Sequence, residues 1–344
     1  MRGLHETRRE DCHWLLLRLA GAVEDDLVTR CRAWLGDGRV GDVGRALAFA
    51  VLGHHLRITS GDRDLLSELI GADLSGATVV DTDPLPGYAF AADPRHAGLT
   101  ASADTPPPVP GTAAPEDCLD WTAVWAVGRQ RQVRALWRAW RCDARARQRV
   151  HVLETDAGAP VADIAAAVQR DLTSPAQPSP QVEVYPVRQG DRRLPSYQRL
   201  ARSYGALLWA REPAHAVHLA KTYVGEPETP ALSGAEVFRL LGYLRGGERV
   251  LLTPIRARDV LDPAGPARVP MNHRTDGMWV WSEAVVYYLE RYRMAPDPAL
   301  LGHVRARGFR RPEVDGAALH RVLAALRDPR WSRATGPAPA WIEA

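Results

Sequence analysis

The sequence predicts an α+β protein built from several modules. Three observations predict it: 344 residues are too many for one ordinary core, helical spacing dominates both ends, and strand-like alternation is concentrated in the middle. We expect a helical bundle at 1–91, a Pro/Ala-rich linker at 92–116, an α+β module at 117–212, a second α+β module with a hairpin and three C-terminal helices at 213–330, and a loose tail at 331–344.

The N-terminal segment predicts four short helices followed by a linker. Apolar residues recur at three- and four-residue spacing in HWLLLRLAGAV and DDLVTRCRAWL. For the fourth helix, Thr59 or Ser60 is a suitable N-cap and Gly71 a suitable end. The run ASADTPPPVPGTAAPED then offers few side chains that a core could bury, which is typical of a linker.

Residues 117–212 alternate between strand and helix signals. RVHVLET and PSPQVEVYPV alternate polar with apolar residues, VADIAAAVQRDL has helical spacing, and SYQRLARSYGALLWA predicts a helix followed by a short strand. This order predicts a small sheet with helices on one face.

The C-terminal module predicts a hairpin and well-capped helices. SGAEVFRLLGYL begins with Ser233 three residues before Glu236, which is the spacing of a capping box. ARVPMNHRTDGMWVW predicts a hairpin with Asp276-Gly277 at the turn. Three helices follow, with Ser282, Asp297 and Asp315 as their expected N-caps.

Composition limits the function classes. The N-terminus has no secretory pattern and no apolar run is long enough for a membrane span, so we expect a soluble cytoplasmic protein without a membrane partner. The four cysteines have no metal-ligand spacing, and we expect reduced thiols, no metal and no cofactor. The net charge of +3 suits nucleic-acid binding, but 43 of the 44 basic residues are arginine. Together with abundant Ala, Gly and Pro, that usage indicates a GC-rich genome.

The basic stretch Arg129–Arg149 has two interpretations. As a helix, it would present an arginine stripe beside Trp137 and Trp140 that could follow a nucleic-acid backbone. As a strand, its tryptophans would anchor a sheet and its arginines would form a solvated face, which is the favoured interpretation. The predicted stripe consists of Arg134, Arg138, Arg141 and Arg145.

No strong catalytic motif occurs. We find no G-x-S-x-G, S-x-x-K, P-loop, G-x-G-x-x-G or HExxH pattern, and His54-His55 and His215/His218 lack supporting ligands. The carboxylates of Asp81 and Asp83 fit a turn. The absence of a motif leaves a non-enzymatic interaction protein as the leading hypothesis.

The hairpin segment carries the candidate binding residues. Trp279 and Trp281 are two apart and would anchor one sheet face. Trp and Arg are frequent at binding hot spots. The candidates are Asn272, His273, Arg274, Asp276 and Trp279. The enzymatic alternative is a small-molecule or nucleotide-modifying enzyme with its site between 117–212 and 213–330, where His273 would be the acid/base and Arg274 an anion clamp.

Two resemblances add to this. VRALWRAW, VHVLETD, VADIAAAVQRDL, VEVYPV and YQRLARSYGALLWAR together resemble the C-terminal domain of SseB-type proteins, which implies an α+β fold and no known reaction. LPSYQRLARSYGALLWAR, RTDGMWVW and PDPALLGHVRARGF resemble an uncharacterised actinobacterial family, and the RTDG-x-W-x-W hairpin is similar to proteins of toxin and immunity neighbourhoods. The capped helices, the Trp/Arg-bearing hairpin and the lack of a catalytic motif favour an immunity-like or regulatory interaction protein with a protein partner.

Overall fold

The computed structural model describes residues 2–80, 88–93, 113–142, 147–187, 194–222 and 232–327. Its helices and small mixed sheets confirm the predicted α+β class. The described residues form two compact units, from 2 to 212 (unit 1) and from 213 to 327 (unit 2). Most of the predicted linker 92–116, the tail 331–344, and Asp81 and Asp83 lie outside the described residues.

Unit 1 begins with four helices that share an apolar core. They are α1 (Arg2–Leu19), α2 (Asp25–Gly36), α3 (Val40–Gly53) and α4 (Ser60–Ile70), with the short parallel strands β1 (Arg57–Ile58) and β2 (Thr78–Val79) beside them. Thr59 is the N-cap of α4 and forms a capping box with Asp62, and Gly71 ends the helix at a φ of 64°. Leu15, Leu35 and Leu47 are fully buried in the core.

The rest of unit 1 is built around a five-stranded sheet. In chain order its elements are β3 (Ala89–Ala91), α5 (Cys118–Gly128), β4 (Val133–Cys142), β5 (Arg147–Thr155), α6 (Val161–Leu172), β6 (Gln181–Pro186), α7 (Ser196–Tyr204) and β7 (Ala206–Ala210). β5 and β6 are parallel and joined through α6, while β4 pairs antiparallel with β5, β3 and β7. The basic stretch therefore contributes β4 and the start of β5, and none of its residues between Val133 and Cys142 is helical.

Helices cover both faces of this sheet, whereas the sequence predicts them on one face. Leu153, Val182 and Val184 pack with α5 and α6 in an apolar cluster. The residues that alternate with them are polar: Glu183 pairs with Arg32 of α2 and accepts a hydrogen bond from Gln198 of α7. The polar residues of β6 thus find their partners on elements far away in sequence, which strand periodicity does not reveal.

Unit 2 is a second α+β assembly. It contains β8 (His218–Leu219), α8 (Gly234–Arg245), β9 (Glu248–Leu251), β10 (Arg256–Ala257), β11 (Val269–Pro270), β12 (His273–Thr275), β13 (Trp279–Ser282), α9 (Glu283–Tyr292), α10 (Pro298–Ala306) and α11 (Gly316–Arg327). Its four-stranded sheet has the order β8-β13-β12-β9. Trp281, Leu240, Leu244 and Leu289 are fully buried in its core.

The expected N-cap side chains of unit 2 are in place, although Glu236 pairs with Arg305 and is not seen to complete the predicted capping box with Ser233 among the described residues. The side chains of Ser233, Ser282, Asp297 and Asp315 accept hydrogen bonds from backbone amides in the first turns of α8, α9, α10 and α11. The Ser282 cap fixes where α9 begins directly after the hairpin strand β13. Across the part of the chain that the structure describes, no helix combines the length and apolarity that crossing a membrane requires.

Candidate functional site

The predicted hairpin forms, and Asp276-Gly277 lies in the turn between its two strands. Thr275 pairs with Val280, and the Asp276 N–H donates to the Trp279 carbonyl at 3.3 Å. The central residues are therefore Gly277 and Met278. Gly277 has a φ of 93°, a left-handed value that favours glycine at this position. Asp276 is the first corner of the turn and contributes through its side chain.

Asp276 ties this turn to two helices. Its buried carboxylate accepts hydrogen bonds from the Tyr243 hydroxyl at 2.5 Å and from His303 Nε2 at 2.7 Å, and from the amides of Met278 and Trp279. Burial by itself would raise the pKa of Asp276, but these donors outweigh it and hold the pKa below its usual value. Asp276 is thus a buried anion that anchors the hairpin to α8 and α10.

Asn272 and Arg274 are joined by one carboxylate. Glu283, the first residue of α9, accepts hydrogen bonds from Arg274 Nε at 2.6 Å and Asn272 Nδ2 at 2.8 Å. Arg274 also donates to the Gly247 carbonyl at 3.0 Å, and the Thr253 amide donates to Asn272 Oδ1 at 2.9 Å. Both predicted binding residues therefore connect β12 to neighbouring elements of unit 2.

His273 and Trp279 lie in different surroundings. Burial lowers the pKa of His273, and a smaller effect of the Met271 backbone opposes it. Within the described ranges, no carboxylate pairs with His273, so an acid/base role lacks an orienting partner. The Trp279 ring stacks on His218 with centroids 5.0 Å apart and packs against the core of unit 2. Most of the large side chains of the hairpin therefore stabilise the structure of unit 2.

The arginines of β4 are engaged within unit 1. Arg138 is 1% exposed and pairs with Asp120 of α5 at 2.5 Å, whereas Arg141 pairs with Asp25 of α2 at 2.7 Å, so the two lie on opposite faces of the sheet. Arg134 pairs with Asp156 at 2.9 Å. Arg145 lies outside the described residues. These contacts separate the arginines that a helix would have brought into one stripe.

The exposed face of α5 was not predicted from the sequence. Trp121 and Trp125 lie one turn apart and are 61% and 60% exposed, while Ala123, Ala126 and Val127 are buried on the sheet side. The Arg129 guanidinium lies 3.7 Å from the Trp125 ring centroid and also pairs with Asp171. The signal in the sequence is CLDWTAVWAVG, a helical segment without a polar face.

No protein-family model matches the chain, and neither a curated protein nor a solved structure shows significant similarity to it. The SseB-type, actinobacterial and immunity-like resemblances therefore stay expectations.

Among the residues with described positions, no group of three His, Cys, Asp or Glu side chains is placed to hold a metal ion. The geometry of α5 is then the strongest pointer to a function.

Proposed function

We propose that this protein is a non-enzymatic interaction protein, immunity-like or regulatory, that binds a protein partner through Trp121, Trp125 and Arg129 of the α5 region. The exposure of two tryptophans on one helix face carries the proposal. Large exposed apolar groups rimmed by polar ones mark interaction sites, and Trp and Arg are the commonest hot-spot residues.

The size of the two rings supports a meaningful contribution to binding. Each ring leaves roughly 150 Å² open to a partner if a tryptophan covers about 250 Å² in full. Covering both would contribute about 7 kcal/mol of gross hydrophobic free energy, before the costs of association are subtracted. This free energy is enough for the two rings to be the centre of an interface, but tight binding needs additional contacts.

Arg129 is expected to order the Trp125 side chain before a partner binds. Its guanidinium is held between the Trp125 ring and Asp171, so the Trp125 side chain has a neighbour that restricts its rotamers before a partner arrives. An anchor ordered in advance loses less conformational entropy on binding.

We place this interaction in the cytoplasm. Cys12, Cys31, Cys118 and Cys142 are free thiols, and three of them are buried. Free thiols are typical of reducing compartments. Fractionation of cells producing the untagged protein tests the location, and recovery from the culture medium or the membrane pellet would contradict it.

The interaction is tested by quantitative recovery from a native lysate of the source organism. The bait is the full chain as wild type, as the double variant Trp121→Ala/Trp125→Ala, and as Phe238→Ala. Phe238 is a matched control because it is 80% exposed but belongs to α8 in the other unit.

We expect one protein that the wild type and Phe238→Ala recover equally and that the tryptophan variant loses at least about tenfold, as truncation of hot-spot residues predicts. Circular dichroism melts establish that all three baits are folded. Equal recovery by all three baits would remove the support for this surface.

A further inference from the structure

A basic cleft opens on the surface of unit 2, between α8 and the segment that follows α10. Its volume is about 390 Å³. Arg239, Gly242 and Tyr243 line it from α8, and Gly308, Phe309 and Arg311 line it from the segment after α10. Gly308 has a φ of 57°, which lets the chain turn back toward α8 directly after the helix.

Among the residues that the structure describes, the two arginines of the cleft have no carboxylate partner. The Arg239 guanidinium lies 4.5 Å from the centroid of the Phe309 ring, and Arg311 donates to the Gly246 carbonyl. Within the described part of unit 2, neither forms an ion pair. Their positive charge is therefore not compensated inside the fold.

The nearby acidic groups are already engaged. Glu236 of α8 pairs with Arg305 at 2.8 Å. Asp276 lies behind Tyr243, whose hydroxyl donates to it, and it is also paired with His303. Neither carboxylate is free to neutralise the two arginines of the cleft.

The surrounding sequence adds positive charge. The run RARGFRR, residues 305–311, contains four arginines and no acid, and residues 213–344 carry 18 Lys and Arg against 14 Asp and Glu. Burial raises the pKa of Tyr243, and the Asp276 hydrogen bond adds to this, but the charges of Arg307 and Arg311 act in the opposite direction. The positive charges of Arg307 and Arg311 are therefore both close enough to Tyr243, which lines the cleft, to lower its pKa.

We propose that this cleft binds the phosphate group of a small phosphorylated molecule. Guanidinium groups match phosphate oxygens with paired hydrogen bonds, and two of them suit a group that carries about −1.5 to −2 charge better than a monocarboxylate. The volume falls in the range of about 300–1,000 Å³ that small-molecule sites occupy. The proposal concerns unit 2 and is independent of the α5 surface.

Isothermal titration calorimetry on the full chain tests the proposal with adenosine monophosphate, inorganic phosphate and acetate as separate ligands. The variants are Arg239→Gln and Arg311→Gln. Arg245→Gln is the matched control, because Arg245 belongs to the same helix but pairs with Glu290 and does not line the cleft.

We expect a Kd below about 1 mM for at least one phosphate ligand and acetate binding at least about tenfold weaker. Arg239→Gln and Arg311→Gln should each weaken phosphate binding about tenfold, while Arg245→Gln should stay within about twofold of wild type. Tighter binding of the nucleotide would identify a phosphate ester as the source, and equal binding would show that the phosphate group alone is recognised.

Three outcomes would overturn the proposal. They are no saturable binding of either phosphate ligand up to about 10 mM, acetate binding as tightly as phosphate, and an Arg245→Gln effect as large as that of Arg239→Gln. Arg239→Gln is the variant that separates binding from stability, because Arg239 is exposed, whereas Arg311 also donates a hydrogen bond to the Gly246 carbonyl. A thermal melt without ligand shows that the Arg239→Gln fold is intact.

Discussion

The arginines of the sheet in unit 1 and those of residues 305–311 in unit 2 have opposite surroundings. At the sheet, Arg138 of β4 and Arg32 of α2, whose partner Glu183 lies on β6, are 1% exposed, and each pairs with a buried carboxylate. After α10, Arg310 and Arg311 are exposed and form no ion pair within the described residues. Arginine density in the sequence is high in both regions, so density alone does not distinguish a structural role from a binding role.

Desolvation explains the difference. A guanidinium removed from water needs a partner whose charge and hydrogen bonds offset the lost hydration, so a buried arginine is committed to the fold. An exposed arginine keeps its hydration and remains available to an anion from outside. We therefore expect that losing an arginine contact lowers the free energy of unfolding most where the arginine is buried and paired, and least where it is exposed and unpaired.

The largest effect is expected at the Arg32–Glu183 pair. Glu183→Ala leaves the Arg32 charge buried without its partner and also removes one of the two acceptors of Gln198, the other being the Leu17 carbonyl. The free energy of unfolding should fall by about 3–5 kcal/mol, as for other broken buried pairs. Urea denaturation followed by circular dichroism measures it.

The double variant Arg32→Met/Glu183→Leu is the control for that experiment. Because it removes both charges and keeps apolar volume, it should regain most of the stability that Glu183→Ala loses. A cost below about 1 kcal/mol for the single variant would show that water reaches this pair and would weaken the comparison.

The next effect concerns histidines held neutral in the same unit. Burial lowers the pKa of His13 to about 4 and that of His151 to about 3. In the unfolded chain, both histidines have a pKa near 6.5. As the pH falls below that value, they are protonated in the unfolded chain but stay neutral in the folded protein. Stability is therefore full above about pH 6.5 and falls as the pH falls, by about 2 kcal/mol per histidine between pH 7 and pH 5.

His151→Leu separates one histidine from the other. Among the described residues, neither ring nitrogen of His151 has a hydrogen-bond partner, so the change should cost less than about 1 kcal/mol at pH 7. It should also remove about 2 kcal/mol of the loss between pH 7 and pH 5, as measured by urea denaturation at both pH values. An unchanged pH dependence would mean that His151 is protonated in the folded state.

Sequence periodicity predicted the fold class and the caps because both depend on neighbouring residues. Thr59 and Asp62, or Asp297 and Pro298, are local pairs whose geometry follows from a helix start. The covering of the second sheet face was not predictable, because Glu183 meets Arg32 only after the chain has folded over 151 positions. The α5 face was missed because its segment is apolar on all sides, which indicates a buried helix.

A smaller effect is expected at Arg274, whose ion pair with Glu283 is intermediate between the two classes. The two side chains are 13% and 15% exposed. Arg274→Ala should lower the free energy of unfolding by about 1–2 kcal/mol, the range for a hydrogen bond to a charged group. A double-mutant cycle with Glu283→Gln measures the coupling. Coupling near zero would show that Arg274 stabilises the hairpin only through the Gly247 carbonyl.

The smallest effect, of opposite sign, is expected at Arg310. Every charged residue in the 305–311 run is an arginine, so the folded state holds like charges together without a bound anion. Arg310→Gln should leave the free energy of unfolding unchanged or raise it by up to about 0.5 kcal/mol at low salt. The gain should vanish near 1 M NaCl, where the Debye length is about 3 Å. Urea denaturation at both salt concentrations measures it. A loss above about 1 kcal/mol would show that Arg310 stabilises the fold as the sheet arginines do, and the contrast between the two regions would then fail.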